Sequence, residues 1–506
     1  MSTDTLTLDR LRARGDAFHQ ALSREYYESQ AGLKPTAELQ PIYAEYADIL
    51  GPDALAMARE AFLAAPGESE ERRGARLLLD WLIDAQAQRA LAELDEREIA
   101  WENAAVLTLD DGRRMPYQRA AIEIGNATDR EERLRIERAR AVLVGRELAP
   151  LRRERFQREI DEIAALEIAD GYIPTFEAVS GIDLHDLADQ CARFLRDTQA
   201  MWDDVVRETV RAKLAIPIRE VTRADALALM RASEFDPYFP AASMEPAVRR
   251  QMEEMGIDPA AGGRVIYDTG EREGKRARAF CAPVRVPDEV YLVLRPHGGH
   301  TDWSTLLHEL GHALHFGYAR ADLQFEYRWL GDNSVTEGYA MLLDHLLHDA
   351  GWLRRYTELT KDAVPRFLRA AGFEELQFLR RYCGKLIYEV ELYGGRLPWD
   401  AMPDLYVQTL TGATNFRYDP ADAFVDVDAR FYAARYLRAW QLQAVFTEAL
   451  VQRFDADWWR NPRAGPWMIA QLFGEGQREL GHEIAERIGG ALTFGPLVRE
   501  VERLLA

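Results

Sequence analysis

From Leu8 to about Glu234, apolar residues recur at helical spacing with charged residues between them. Leu8 to Ala31 and Ala54 to Leu63 read as amphipathic helices, and Ala75 to Leu107 as one long helix. Thr128-Asp129-Arg130-Glu131 has the form of a capping box opening a helix through Val144. A further long helix is predicted from about Glu147 to Leu166. Gly171-Tyr172-Ile173-Pro174 interrupts the pattern, and helices resume from about Asp186. The character changes after the proline-punctuated linker Phe235-Asp236-Pro237-Tyr238-Phe239-Pro240. Short strands are predicted over Gly262 to Asp268, Ala277 to Val286 and Glu289 to Arg295, the last two joined by a turn at Pro287-Asp288. Pro283 has no N–H to give to a ladder, which places Ala277 to Val286 at a sheet edge. After Thr301 the helical pattern runs to the end. The pattern describes a mainly α chain with one small sheet, its character changing near residue 240.

Composition narrows the function more than the fold. A chain of 506 residues buries a large core without disulfide or metal staples. Its net charge of -21 repels phosphate backbones and anionic headgroups, which argues against nucleic acid or a membrane surface as partner. No run of about 18 apolar residues is present. The stretch Met1 to Gln20 lacks the apolar core of a signal peptide, so a cytoplasmic location is expected. Cys191, Cys281 and Cys383 lie far apart with no CxxC pair, which argues against a cysteine metal site and suits a reducing compartment.

The chemistry concentrates in Leu306-Leu307-His308-Glu309-Leu310-Gly311-His312. Residues four apart on a helix differ by about 40° around the axis, so His308 and His312 face the same way. Two such imidazoles can hold one Zn²⁺, with Glu309 at the edge of that face as general base on a water molecule. A catalytic zinc takes a third protein ligand, and the downstream candidates are Asp322, Glu326, Asp332, Glu337 and Asp344. Glu337 falls in the first turns of a second predicted helix, capped near Asn333 or Ser334. Asp344 follows two turns later on the same face, placed to brace a ligating histidine. No GxSxG, Walker or strand-linked GxGxxG motif offers a competing chemistry.

Thr301-Asp302-Trp303-Ser304-Thr305-Leu306-Leu307-His308-Glu309-Leu310-Gly311-His312-Ala313-Leu314-His315 resembles the core of the thimet oligopeptidase and oligoendopeptidase F family. That family's third ligand is a Glu about 25 residues on, and Glu337 stands 25 after His312. Arg272 to Cys281 is similar to the family's Gly-Lys-Arg block, with Arg278 where a glycine is usual. Ala434 to Leu450 is similar to the Arg-Tyr helix of angiotensin-converting enzyme, and by that likeness Tyr436 donates to the oxyanion. The family's histidine, 10 to 12 residues earlier, would fall at Phe424 or Asp426, and neither is His; His297 or His300 could substitute.

The resemblance implies a gluzincin metallopeptidase with a neurolysin-like, two-lobed helical fold: a small β-sheet beside the zinc helix, and a deep central cleft. Residues 1–240 would form one cleft wall and 241–506 the catalytic half, together one integrated peptidase domain in the family's manner. It implies one Zn²⁺ per chain, held by His308, His312 and Glu337, and short unfolded peptides as substrates, gripped along the edge strand. Two alternatives stay open. A carboxypeptidase or dipeptidyl carboxypeptidase would need a cation for the substrate C-terminus, drawn from Arg276, Arg278, Arg295, Arg435 or Arg438. A non-catalytic peptide- or metal-binding homologue would account for the altered tyrosine region.

Overall fold

The structure, a computed structural model, describes residues 6–67 and 69–506. The protein is mainly helical, with a two-stranded and a three-stranded sheet. The chain condenses into two compact units, each assembled from three stretches of sequence. The first comprises Met1–Gln86, Ala232–Leu368 and Arg438–Leu497; the second comprises Ala87–Arg231, Arg369–Leu437 and Val498–Ala506. No helix of the described residues is long and apolar enough to cross a membrane.

In the first unit, Glu289–Val293 is the central strand, parallel to Val265–Asp268 and antiparallel to Phe280–Arg285. Phe280–Arg285 is therefore an edge strand, as Pro283 requires. The helix Leu8–Gln30 covers one face of this sheet. Tyr27 and Ala31 join Ala282, Val284 and Val293 in a common apolar cluster, with Tyr27 stacked on Tyr291 at 3.8 Å between ring centroids. The Gly-Lys-Arg block does structural duty here. Buried Lys275 donates to the Asp268 side chain at 3.1 Å and to the Gly270 carbonyl at 2.9 Å, pinning the end of a strand.

Two helices of the first unit, His300–Tyr318 and Asn333–Asp344, cross in intimate contact. Gly311 makes the crossing possible: a Cβ there would lie 2.5 Å from the Ala340 Cα and 2.7 Å from the Tyr339 carbonyl oxygen. The second helix is capped by Asp332, whose carboxylate accepts from the Ser334 N–H at 2.9 Å, rather than by Asn333 or Ser334. A carboxylate takes this position as well as any side chain, because it meets both an orphan N–H and the positive end of the helix dipole.

The second unit corrects several expectations. The helix reaching toward Leu107 ends at Ala104, because Val106–Thr108 pairs with Arg114–Pro116 across the Asp110-Asp111-Gly112 turn, where Gly112 adopts φ 86°. The helix Arg130–Leu143 is capped by Asp129, not Thr128, through the Glu131 N–H at 3.2 Å. Gly171 to Pro174 starts a helix instead of only interrupting one: Tyr172–Ser180 follows directly. Pro174 occupies its first turn, where a missing N–H costs nothing.

Gly311→Ala is expected to lower the melting temperature, since its Cβ meets backbone that cannot swing aside. The overpacking costs about 1–3 kcal/mol, against roughly 1 kcal/mol that alanine ordinarily contributes in a helix interior. A variant melting at or above the wild-type temperature would show that the crossing is looser than described.

Candidate metal centre

His308 and His312 project from one face of the His300–Tyr318 helix, and Glu337 projects toward them from the first turns of Asn333–Asp344. The Glu337 Oε2 lies 3.3 Å from His308 Nε2 and 3.9 Å from His312 Nε2, and the three ligand atoms all lie within 4.8 Å of one another. An ion bonded tetrahedrally at roughly 2.0–2.1 Å spaces its ligand atoms by about 3.4 Å. The trio therefore fits a small divalent ion, with one coordination position left over.

The other ring nitrogens are engaged in a way that suits metal binding. His308 Nδ1 lies 2.8 Å from Asp344 Oδ2, and His312 Nδ1 lies 2.8 Å from Thr336 Oγ1. An Nδ1–H donated to an oxygen leaves the Nε2 lone pair pointing into the centre. Asp344 also accepts from His345 Nδ1 at 2.6 Å. Burial pushes the Asp344 carboxyl up, but the bonds from His308 and His345 prevail and hold it down to about 2. It is a fixed anion behind His308.

The remaining downstream acids are engaged elsewhere. Glu326 pairs with Arg12 at 2.8 Å, Asp332 caps its helix, and Asp322 lies 3.3 Å from Arg320. His315 is fully buried and bonds the Gly476 carbonyl at 3.0 Å, and His300 is tied to Asp236 at 2.8 Å. Asp302 accepts from the His297 and Gly298 N–H groups, shaping the loop that leads into the helix.

Glu309 lies beside the trio. Its Oε2 accepts from the Cys281 N–H of the edge strand at 2.9 Å. Burial raises its carboxyl above the usual range, against the opposing pull of His308, the Cys281 N–H and Arg278. Thr336 and the Cys281 N–H are the two site groups that the sequence did not reveal. Thr336 had a signal, since it adjoins Glu337; the Cys281 contact arises only from tertiary packing.

Tyr436 belongs to the second unit. It stands near the start of helix Tyr432–Phe454, stacked on Tyr432 at 5.7 Å and lying 5.3 Å from the Tyr382 ring. Where the resemblance expects a histidine, Phe424 stacks on Trp399 at 5.4 Å, and Asp426 binds Arg381 at 2.5 Å and the Tyr406 hydroxyl at 2.8 Å. Both positions are committed to packing within their own unit.

No protein-family profile and no curated protein matches the sequence. Among solved structures, the chain is similar to the crystal structure of a candidate peptidase from Chlamydophila abortus, with a TM-score of 0.67 and 14% identity. The match covers 98% of this chain and 89% of that one. Such a likeness over nearly the whole length establishes a shared, mainly helical fold of the kind that protein has.

The protonation of His308 sets a test. Burial opposes its charge, yet Asp344 and Glu337 together hold its proton up to about 10, whereas burial takes His312 down to about 4. At pH 7.5 the metal-free centre thus carries a proton that a ligating imidazole must surrender. Calorimetric metal titration in buffers of different ionisation heat is expected to show about one proton released per ion bound. Release of none would mean that Asp344 and Glu337 do not hold a proton on His308 in the metal-free protein.

Proposed function

We propose that the protein is a zinc peptidase that hydrolyses short, unfolded peptides. The observation that carries this reading is the convergence of His308, His312 and Glu337 with a carboxylate, Glu309, fixed alongside by a backbone N–H. Zinc is the ion that suits two neutral imidazoles and one carboxylate with an open fourth position. When bound, it supplies a lowered pKa for water and polarisation of the scissile carbonyl.

The protein's own groups perform the proton work. Glu309 is held through one oxygen by the Cys281 N–H, which leaves the other to take the proton of the attacking water. Its raised pKa keeps that proton ready for the leaving amine nitrogen. Asp344 and Thr336 fix the two imidazoles in orientation and tautomer. Tyr436 is assigned the oxyanion donor by its likeness to the Arg-Tyr helix, a phenol O–H meeting developing negative charge. The edge strand Phe280–Arg285 suits an extended peptide added alongside it, and it brings the Cys281 N–H and Glu309 to the same place.

Glu309→Gln keeps the size and the Cys281 contact and removes the base. It is expected to retain stoichiometric metal while peptide turnover falls by about 100-fold or more. Turnover at the wild-type rate with metal still bound would exclude Glu309 as the base.

A further inference from the structure

The edge strand Phe280–Arg285 is short of donors for a guest. Cys281 gives its N–H to Glu309, and Pro283 has none, so neither supplies one to a peptide laid along this edge. Between Pro283 and Arg285 the ladder is irregular. A peptide held here can donate to the strand's carbonyls but finds few donors in return. Its anchorage therefore calls on side chains as well as backbone.

Most arginines that could meet an anionic group of a peptide are committed. Arg276 donates to the Gln30 side chain at 3.0 Å, Arg295 lies 3.2 Å from a Glu271 carboxylate oxygen, and Arg285 faces Glu289 across the ladder. Arg438 donates to Gln441 at 2.8 Å, and Arg435 is buried over the Phe176 ring. Arg278 is different. It is exposed and, among the described residues, no hydrogen bond or ion pair holds its guanidinium. Acidic residues outnumber basic ones by 84 to 63, so its solitude does not come from a shortage of carboxylates. Its five N–H donors form a planar fork that matches a carboxylate.

Arg278 also stands close to the reacting groups. Three residues separate it from Cys281, whose N–H holds Glu309. Three residues of chain span at most about 10 Å, a length that an extended peptide covers in about three residues. Its charge is felt at the base itself. Burial pushes the Glu309 carboxyl up, and Arg278 joins His308 and the Cys281 N–H in drawing it back.

We propose that Arg278 determines specificity at this site by binding a carboxylate of the peptide substrate, within about three residues of the scissile bond. That carboxylate is the peptide's C-terminus or an acidic side chain; the chemistry is the same. The proposal rests on the peptidase reading above and adds to it the charge of the substrate.

The test gives zinc-loaded, full-length protein a set of short peptides. Glu and Gln are exchanged within three residues of each bond, and free and amidated C-termini are exchanged separately. The quantity read is the ratio of kcat/KM between charged and neutral forms of one peptide. For the wild type this ratio is expected to be about 10 for at least one exchange, and to shrink as salt is raised. The exchange that shows it tells a C-terminal carboxylate from an acidic side chain. Arg278→Gln is expected to bring the ratio to about 1, and Arg278→Glu to invert it and favour Lys over Gln at the same position. A ratio of about 1 for both exchanges in the wild type, or a preference kept by Arg278→Gln, would overturn the assignment of Arg278 while neutral peptides are still cut. Zinc-loaded protein that cuts no peptide of the set would overturn the peptidase reading, and this proposal with it.

Discussion

The candidate centre depends on how closely two helices approach at Gly311. His308 and His312 share a face by local periodicity alone, but Glu337 reaches them only because the backbones of the two helices nearly touch. Any side chain at Gly311 would meet the Ala340 Cα and the Tyr339 carbonyl. Holding them apart would carry Glu337 away from a triangle whose measured edges are 3.3 and 3.9 Å. The same crossing brings Thr336 to His312 and Asp344 to His308, so ligands and their supports are set by a single contact.

Around that contact the charges form a chain: His345, Asp344, His308, Glu337. Two carboxylates flank one imidazole in a largely buried space, an arrangement stable only if a positive charge sits between them. Without metal, the proton on His308 is that charge. With metal, the ion takes over the role, and the imidazole becomes a ligand of increased basicity because Asp344 remains behind it. Glu309 is set apart from this chain by its anchorage to the edge strand, and its raised pKa suits a group that must take and return a proton.

What was legible in the sequence was what obeys a local period or spacing. The four-residue interval of His308 and His312, the edge position implied by Pro283, and the placement of Asp344 two turns after Glu337 all follow from helix and strand geometry. Capping residues were misplaced by one position, at Asp129 and Asp332, because several adjacent polar side chains compete for the same N–H groups. The Val106–Thr108 hairpin was hidden behind a strong helical pattern that stops only a few residues earlier. The Cys281 contact to Glu309 could not be read at all. It joins segments distant in sequence, and nothing in either segment announces the other. The Lys275 block shows a different limit, since a motif singled out beside a site proved to be a structural clamp on Asp268.

Mapping cleavage sites by mass spectrometry on a mixed peptide library, with the chelated and zinc-reloaded protein side by side, tests the central claim most directly. The account expects new peptide termini from the zinc-loaded protein, none after chelation, and recovery on return of zinc. Undiminished cleavage after complete metal removal, or no cleavage by protein carrying stoichiometric zinc, would contradict it.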